Sequence, residues 1–313
     1  MKSLRIAVQM DPIEKMIVNH DTSLALMVEA QARGHEVWWF APNDLFYELG
    51  VVKARANRVS VSFDQKKHYE THETAIRNVD DFDVVLVRQD PPFDMGYISN
   101  TYLLELAKTL VINPPLGIRN ISEKMSILHF PELTPKTWVG SDLDALQAFA
   151  NQFEQVVLKI LFMMGGDGVI KLESNDPQFR AKAKAFIEAA GREPVLVQEF
   201  LPAVSGGDKR VFVLNGEPFA ALRRLPKEGD FRANLAVGGT AAPGEVDDAD
   251  RAITAAVAPL LKREGIVFAG LDVIAGKLIE INVTSPTLAQ ELKRFSGLDL
   301  PKAFWDKVEA MVA

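Results

Sequence analysis

Two carboxylates and an amide stand within residues 268–283 at a spacing that could bind a divalent cation. The run Phe268-Ala269-Gly270-Leu271-Asp272-Val273-Ile274 is followed by Ala275-Gly276-Lys277 and then by Leu278-Ile279-Glu280-Ile281-Asn282-Val283. Two apolar segments around a glycine-bearing turn read as a β-hairpin. A loop of Ala275, Gly276 and Lys277 sets Ile274 opposite Leu278 and Asp272 opposite Glu280. Alternation then gathers Asp272, Glu280 and Asn282 on one face, with Leu271, Val273, Ile279, Ile281 and Val283 on the other. A shorter loop would put Asp272 opposite Ile279 and mix the faces. Directly opposed carboxylates, with Cβ atoms about 4.5–5.5 Å apart, repel each other. A Mg²⁺ ion between them removes the repulsion, and phosphates would complete its octahedron. For Asp272 alone, an amphipathic hairpin whose polar face meets water is the better account. The trio beside the lysine and glycine elements favours the metal.

Lys159 ends the apolar run Val156-Val157-Leu158 and precedes Gly165-Gly166-Asp167-Gly168. Glycines let backbone N–H groups approach a phosphate closely, and a lysine adds a point charge. An ordinary glycine turn in a hairpin would read the same way. Lys124, in Arg119-Asn120-Ile121-Ser122-Glu123-Lys124, reads by itself as a solvated helix lysine. Gln198-Glu199-Phe200-Leu201 leaves a strand toward Pro202, where a backbone edge could read adenine and Glu199 a ribose hydroxyl; a plain linker predicts the same letters. Arg223, Arg224 and Arg232 flank or occupy the loop 226–239 and fit either a solvated face or an anion clamp. The histidines are scattered, and His68 and His72, though four apart, have no third ligand downstream.

The elements that must hold these groups follow from periodicity. Residues 4–10, 36–42, 83–88 and 110–113 read as buried strands, with a helix capped at Asp21–Ser23 and ending before Gly34. Strand, helix, strand with continuous apolar runs predicts a parallel α/β sheet. Its first turn lacks the glycine fingerprint of dinucleotide binding, and no Walker A sequence occurs. From about residue 120 the pattern changes to short strands at 136–139, 156–159, 169–172 and 194–200, with helices from Asp142 to about Phe153 and over 178–190. These predict a small antiparallel α+β lid. A strand pair (209–215 and 217–225), a polar loop (226–244), a helix (248–263), the acid hairpin and a closing helix (301–311) complete the chain.

Composition narrows the partners. With no cysteine among 313 residues, a disulfide scaffold, a thiolate zinc site and cysteine catalysis are excluded. A net charge of −7 argues against a nucleic-acid binder, so an anionic ligand must be held by locally placed cations. No uncharged run approaches the roughly 20 apolar residues needed to span a bilayer. No signal peptide is visible at the start, which predicts a cytoplasmic protein with no membrane partner.

The chain resembles prokaryotic glutathione synthetase, an ATP-grasp ligase, over essentially its whole length. The resemblance rests on Val8-Gln9-Met10-Asp11-Pro12-Ile13, Arg88-Gln89-Asp90-Pro91-Pro92-Phe93-Asp94, and Asn113-Pro114-Pro115 with Arg119-Asn120 and Glu123-Lys124. It continues through Gly207-Asp208-Lys209-Arg210-Val211, Arg232-Ala233-Asn234 with Gly238-Gly239, and Gly270-Leu271-Asp272 to Glu280-Ile281-Asn282-Val283-Thr284-Ser285-Pro286. It implies an ATP-grasp fold with a Rossmann-like pre-ATP-grasp domain (1–122), a central lid (123–200) and a C-terminal domain carrying the metal site (201–313). It implies ligation of γ-glutamylcysteine and glycine into glutathione, ADP and phosphate through an acyl phosphate, and a homotetramer. Lys124 and Lys159 would contact ATP phosphates, and Gly165, Gly166 and Gly168 would form the flap. Gln198, Glu199, Phe200 and Leu201 would meet the adenosine, with Asp208 near the ribose. Asp272, Glu280 and Asn282 would hold two Mg²⁺, for which Mn²⁺ could substitute. Arg210, Arg232 and Gly239 would serve the transferring phosphoryl group and the mobile cover, and Asn234 and Ser285 the substrates.

Two places depart from the family pattern. Ile160 and Met163 stand where proline and glycine usually follow the lysine, which predicts a stiffer, shifted or hydrophobically pinned flap. Thr240 stands where an arginine commonly follows the paired glycines. The alternatives are another ATP-grasp carboxylate–amine ligase with a different acceptor, or a nucleotide-binding protein whose altered flap has cost it ligase activity.

Overall fold

The structure, a computed structural model, describes residues 3–312. Its first sheet contains β1 (Arg5–Gln9), β2 (Glu36–Phe40), β3 (Leu45–Glu48), β4 (Val51–Val61), β5 (Tyr69–Asn78), β6 (Val84–Val87) and β7 (Leu110–Ile112). The order is β3-β4-β2-β1-β6-β7, with β5 also paired to β4. The strands β2, β1, β6 and β7 run parallel, as their unbroken apolar runs require. The purely parallel expectation fails at β3, β4 and β5, which join antiparallel. Here the buried side of β4 alternates through Val52, Ala54, Ala56, Val59 and Val61. Two alanines in that row flatten the hydrophobic contrast that marks a strand in sequence.

Helix α1 (Thr22–Ala32) starts where the Asp21 carboxylate accepts from Leu24 N at 2.7 Å. It lies on one face of this sheet, while α2 (Met95–Glu105) and α3 (Pro115–Asn120) bury Tyr97, Leu104 and Ile118 against the other.

The second sheet is antiparallel, with strand order β10-β9-β11-β8, where β8 is Thr137–Gly140, β9 Gln155–Ile160, β10 Val169–Glu173 and β11 Val195–Glu199. Helices α4 (Leu143–Ala150) and α5 (Phe179–Ala189) cover one side through Leu146, Ala183 and Phe186. Asp142 caps α4 as expected, but the helix stops at Ala150 and residues 151–154 turn into β9.

The third sheet runs β14-β13-β12-β15-β16, built from β12 (Asp208–Leu214), β13 (Glu217–Leu225), β14 (Thr240–Gly244), β15 (Phe268–Ile274) and β16 (Lys277–Asn282). The segment read as loop over 226–244 therefore ends in a strand that pairs β13. Helix α6 (Asp248–Arg263) opens on a capping box between Asp247 and Asp250. After α7 (Ala289–Ser296), α8 (Leu300–Val312) returns to the first sheet, where the Trp305 indole donates to Leu26 O of α1 at 2.8 Å.

Asn113, just beyond β7, ties the first sheet to the third. Its amide nitrogen donates to Phe268 O and Val283 O, both at 2.8 Å, and its oxygen accepts from Val267 N and Phe268 N. One buried side chain thus fixes both ends of the acid hairpin relative to the N-terminal sheet.

Candidate active site

The β15–β16 turn is made by Ala275 and Gly276 alone, with φ of 48° and 72°. Two left-handed residues in succession are the geometry of a tight hairpin turn that matches strand twist. Ile274 pairs Lys277 and Val273 pairs Leu278, yet Asp272 still pairs Glu280. A bulge at Ile279 absorbs the difference. The expected three-residue loop is thus corrected to two residues plus a bulge. Ile279 moves from the core face to the acid face, and Leu278 takes its place in the core. The acid pairing that motivated the metal reading survives because the bulge restores the alternation.

Asp272, Glu280 and Asn282 open into a cavity of about 970 Å³. Asp272 is 3% exposed and bonded on both oxygens: Arg210 Nε donates to Oδ1 at 2.5 Å, while Arg210 Nη2 and Arg224 Nη2 lie 3.1 and 2.8 Å from Oδ2. Burial on its own would raise the Asp272 pKa, but the two guanidinium groups outweigh it and hold the carboxyl well below its usual range. Arg224 also grips Asp208 through two bonds of 2.7 and 2.6 Å. A side chain at Gly270 would bring its Cβ to 2.8 Å from Arg210 Cδ, so the glycine makes room for the arginine. Asn282 Nδ2 donates to Gly270 O at 3.1 Å, which leaves its amide oxygen for the cavity.

Lys124 corrects the surface-lysine reading. It sits in a turn, not a helix, and is 7% exposed. Its Nζ donates to Met163 O at 2.5 Å and lies 3.0 Å from Glu280 Oε1. Lys159 donates to Gln198 Oε1 at 2.7 Å, and Gln198 in turn donates to Thr137 Oγ1 at 3.1 Å. Burial is the main cause that brings the Lys159 ammonium down to about 8; Lys124 adds to it, against Glu280 and Asp272. The Glu123 carboxyl moves the other way, raised by burial and by Glu280.

Gly165 and Gly166, with φ of 68° and 89°, line the cavity. Gly168 does not; its carbonyl accepts from Ile160 N at 2.8 Å, and the Ile160 side chain fills the space over it. Phe162 O accepts from Phe93 N at 3.1 Å, which ties the segment after Lys159 to the N-terminal unit. Residues 160–168 are therefore held by Ile160, by Phe162 and by the Lys124 bond to Met163 O. From the other side, Arg232 Nη1 donates to Gly166 O at 3.1 Å while its remaining nitrogens bond Asp230. Gly239 lies on the cavity where a Cβ would meet Ala233 O at 2.3 Å, and Asn234 lies beside Gly166.

Glu199, Phe200 and Leu201 line the same cavity. Glu199 Oε1 accepts from Lys136 N at 2.9 Å. Phe200 meets Phe231 edge-on, and Lys171 Nζ stands 4.6 Å from the Phe200 ring.

A further part of the cavity lining comes from residues to which sequence reasoning gave no role. Asp11, Arg88 and Asp90 follow β1 and β6, neighbouring parallel strands whose helices α1 and α2 cover opposite faces of the sheet. Such a switch point is where open α/β sheets bind ligands, so the strand order would have exposed these residues. Arg88 is buried, held by Ser23 Oγ at 2.9 Å and Pro286 O at 3.0 Å. Ser285 donates to Asp90, whose N–H bonds Asp11 Oδ2 at 2.9 Å. Of the residues given a site role from the sequence, all but Gly168 line this one cavity; Arg223, read with Arg224 and Arg232 as a possible anion clamp, is instead exposed and donates to Gly206 O.

The donor chemistry fits magnesium. Asp272, Glu280 and Asn282 offer oxygens only, and the carboxylates are countered by Arg210, Arg224 and Lys124 where a divalent ion would share that work.

The profile of the prokaryotic glutathione synthetase N-terminal domain matches residues 4–119, and that of the prokaryotic glutathione synthetase ATP-grasp domain matches residues 123–297. Glutathione synthetase of Brucella melitensis is 41% identical, covering 98% of this chain and 99% of the relative. That of Mesorhizobium japonicum is also 41% identical over 98% of each. Among solved structures, D-cycloserine synthetase DcsG superposes with a TM-score of 0.70 at 13% identity, covering 98% of this chain and all of that one, a likeness of fold. With both domains matched in order and full-length relatives at this identity, the chain belongs to the prokaryotic glutathione synthetase family of ATP-dependent carbon–nitrogen ligases, built on the ATP-grasp fold.

Proposed function

We propose that this cavity joins the cysteinyl carboxylate of γ-glutamylcysteine to the amine of glycine, with conversion of ATP to ADP and phosphate. The observation that carries the reading is the meeting of the oxygen trio, two lysines and a glycine turn with a separate polar wall from the N-terminal unit. A phosphoryl donor and a carboxylate acceptor need both sets of groups, because the two must be held in line.

In this reading the chain works as three units, 1–122, 123–200 and 201–313. Glu199, Phe200 and Leu201 bind adenosine, with Gln198 at the strand edge and Asp208 near the ribose. Lys124, Lys159 and the N–H groups of Gly165 and Gly166 face the phosphates, while Gly168 closes the flap at its base. Asp272, Glu280 and Asn282 would hold two Mg²⁺, or Mn²⁺ in substitution, which supply neutralisation of the phosphate charge. The substrate carboxylate oxygen attacks the γ-phosphorus as the bond to the ADP oxygen breaks. Arg210 stabilises the charge of the transferring group. The glycine nitrogen then attacks the acyl carbon, phosphate leaves with its bonding electrons, and the proton given up by the amine passes to the departing phosphate. Arg88, Asp90 and Ser285 hold the dipeptide on the N-terminal wall. Arg232, Asn234 and Gly239 keep the cover loop against the flap, excluding water that would hydrolyse the acyl phosphate.

The enzyme works as a homotetramer in the cytoplasm in this reading, and sedimentation tests the assembly. Mass spectrometry after incubation with ATP, γ-glutamylcysteine and glycine tests the chemistry. Glutathione with stoichiometric ADP supports it; ADP release indifferent to both substrates overturns it.

A further inference from the structure

β16 is the edge strand of its sheet, and among the described strands it pairs only β15. Its outward N–H groups need partners from elsewhere. Leu278 N donates to Leu133 O at 2.7 Å, and Ile281 N donates to Glu123 O at 2.9 Å. Glu123 then takes over with its side chain. A single carboxylate oxygen, Oε1, accepts from Val283 N at 2.8 Å, Thr284 N at 3.1 Å and Thr284 Oγ1 at 2.9 Å. The neighbouring Lys124 holds Glu280 at 3.0 Å. Two consecutive residues therefore grip the strand from Glu280 to Thr284, with Asn282 between the gripped points and Ser285 just beyond.

We infer that Glu123 is a positioning residue of the metal site: by gathering Val283 and Thr284 on one oxygen it sets where the side chains of Asn282 and Glu280 point. The inference rests on reading Asp272, Glu280 and Asn282 as the metal ligands. A carboxylate that orients a ligand without touching the ion governs metal affinity through geometry. Three donors converging on one oxygen demand an acceptor at the right reach, and they do not demand a charge. Reach and charge can be separated by substitution. Glu123→Gln keeps the chain length and an acceptor oxygen but is neutral. Glu123→Asp keeps the charge but withdraws the oxygens by one methylene.

Calorimetric titration of Mn²⁺ into the full chain, saturated with a non-hydrolysable ATP analogue and well below its melting temperature, reads the effect. The Gln variant should bind within about threefold of wild type and the Asp variant about 10-fold or more weaker. A contact that merely supports the fold would lower the melting temperature and leave these dissociation constants unchanged. Wild-type affinity in Glu123→Asp overturns the inference, as does a Gln variant weakened as much as the Asp variant, which would make the charge itself the active feature. Should Glu123→Asp not fold, Thr284→Val deletes one of the three donors at constant shape; binding weakened severalfold supports the inference and unchanged binding overturns it. Absence of Mn²⁺ binding by wild type would instead overturn the metal reading beneath it.

Discussion

Lys124 Nζ lies 3.0 Å from Glu280 Oε1, so the lysine read as a phosphate contact is held by the carboxylate read as a metal ligand. A cation arriving at Glu280 would free the lysine for an incoming phosphate, coupling the two sites through one side chain. Glu280→Gln breaks both functions while keeping the shape. Metal charge stabilisation is worth several kcal/mol, so turnover should fall at least ~10²-fold. Metal affinity should drop in the same variant, with the melting temperature little changed. Full activity would refute the assignment.

Lys159 supplies a pH dependence whose sign can be worked out. Burial first, and then Lys124, lower its pKa from 10.5 to about 8 against the pull of Glu280 and Asp272. Below pH 8 both native and unfolded chains hold the proton, and the native state bears the full cost of burying it. Between pH 8 and 10.5 the native chain releases the proton first, so the unfolded chain holds more, and this residue's contribution to stability rises with pH. In the free protein, wild type should gain stability relative to Lys159→Met from pH 7 to pH 9.5, read by thermal melts. In catalysis the same deprotonation removes a phosphate contact, so the KM for ATP should rise above pH 8. Lys159→Arg, which stays charged, should flatten that rise.

Arg232 ties the loop 226–239 to the Gly165–Gly166 turn by donating to Gly166 O at 3.1 Å. Arg232→Ala should admit water to the acyl phosphate. The expected signature is a raised ratio of ADP to glutathione, measured in parallel by a coupled assay and mass spectrometry. A ratio equal to wild type would show that the loop closes without this bond.

Ile160 donates to Gly168 O at 2.8 Å, a bond that a proline at this position could not make. Ile160→Pro should loosen the base of the flap and speed limited proteolysis within residues 163–168. Equal cleavage rates in the two proteins would mean that Phe162 and Lys124 alone pin this segment.

The order of elements was largely legible before folding was considered. Helix 248–263, the cap at Asp142 and the β12–β13 pair all follow from local signals: period, caps and turn residues. The β3–β5 strands were not legible, because alanines on the inner face of β4 hide its alternation. The bulge at Ile279 was not legible either, since a two-residue turn and a three-residue turn place the same letters around Gly276.

At the site, the chain alone determined which chemistry was available: hard oxygen ligands, cations placed locally against a net charge of −7, and no thiol. Only the tertiary structure decided which of these groups meet. Glu123 and Thr284 are separated by 161 positions, and Asp90 and Ser285 by 195, yet each pair is joined by a hydrogen bond. Short-range propensity acts over a few residues along the backbone, whereas burial and hydrogen-bond satisfaction act through space. The N-terminal wall and the grip on β16 exist only once the sheets have closed around a common cavity.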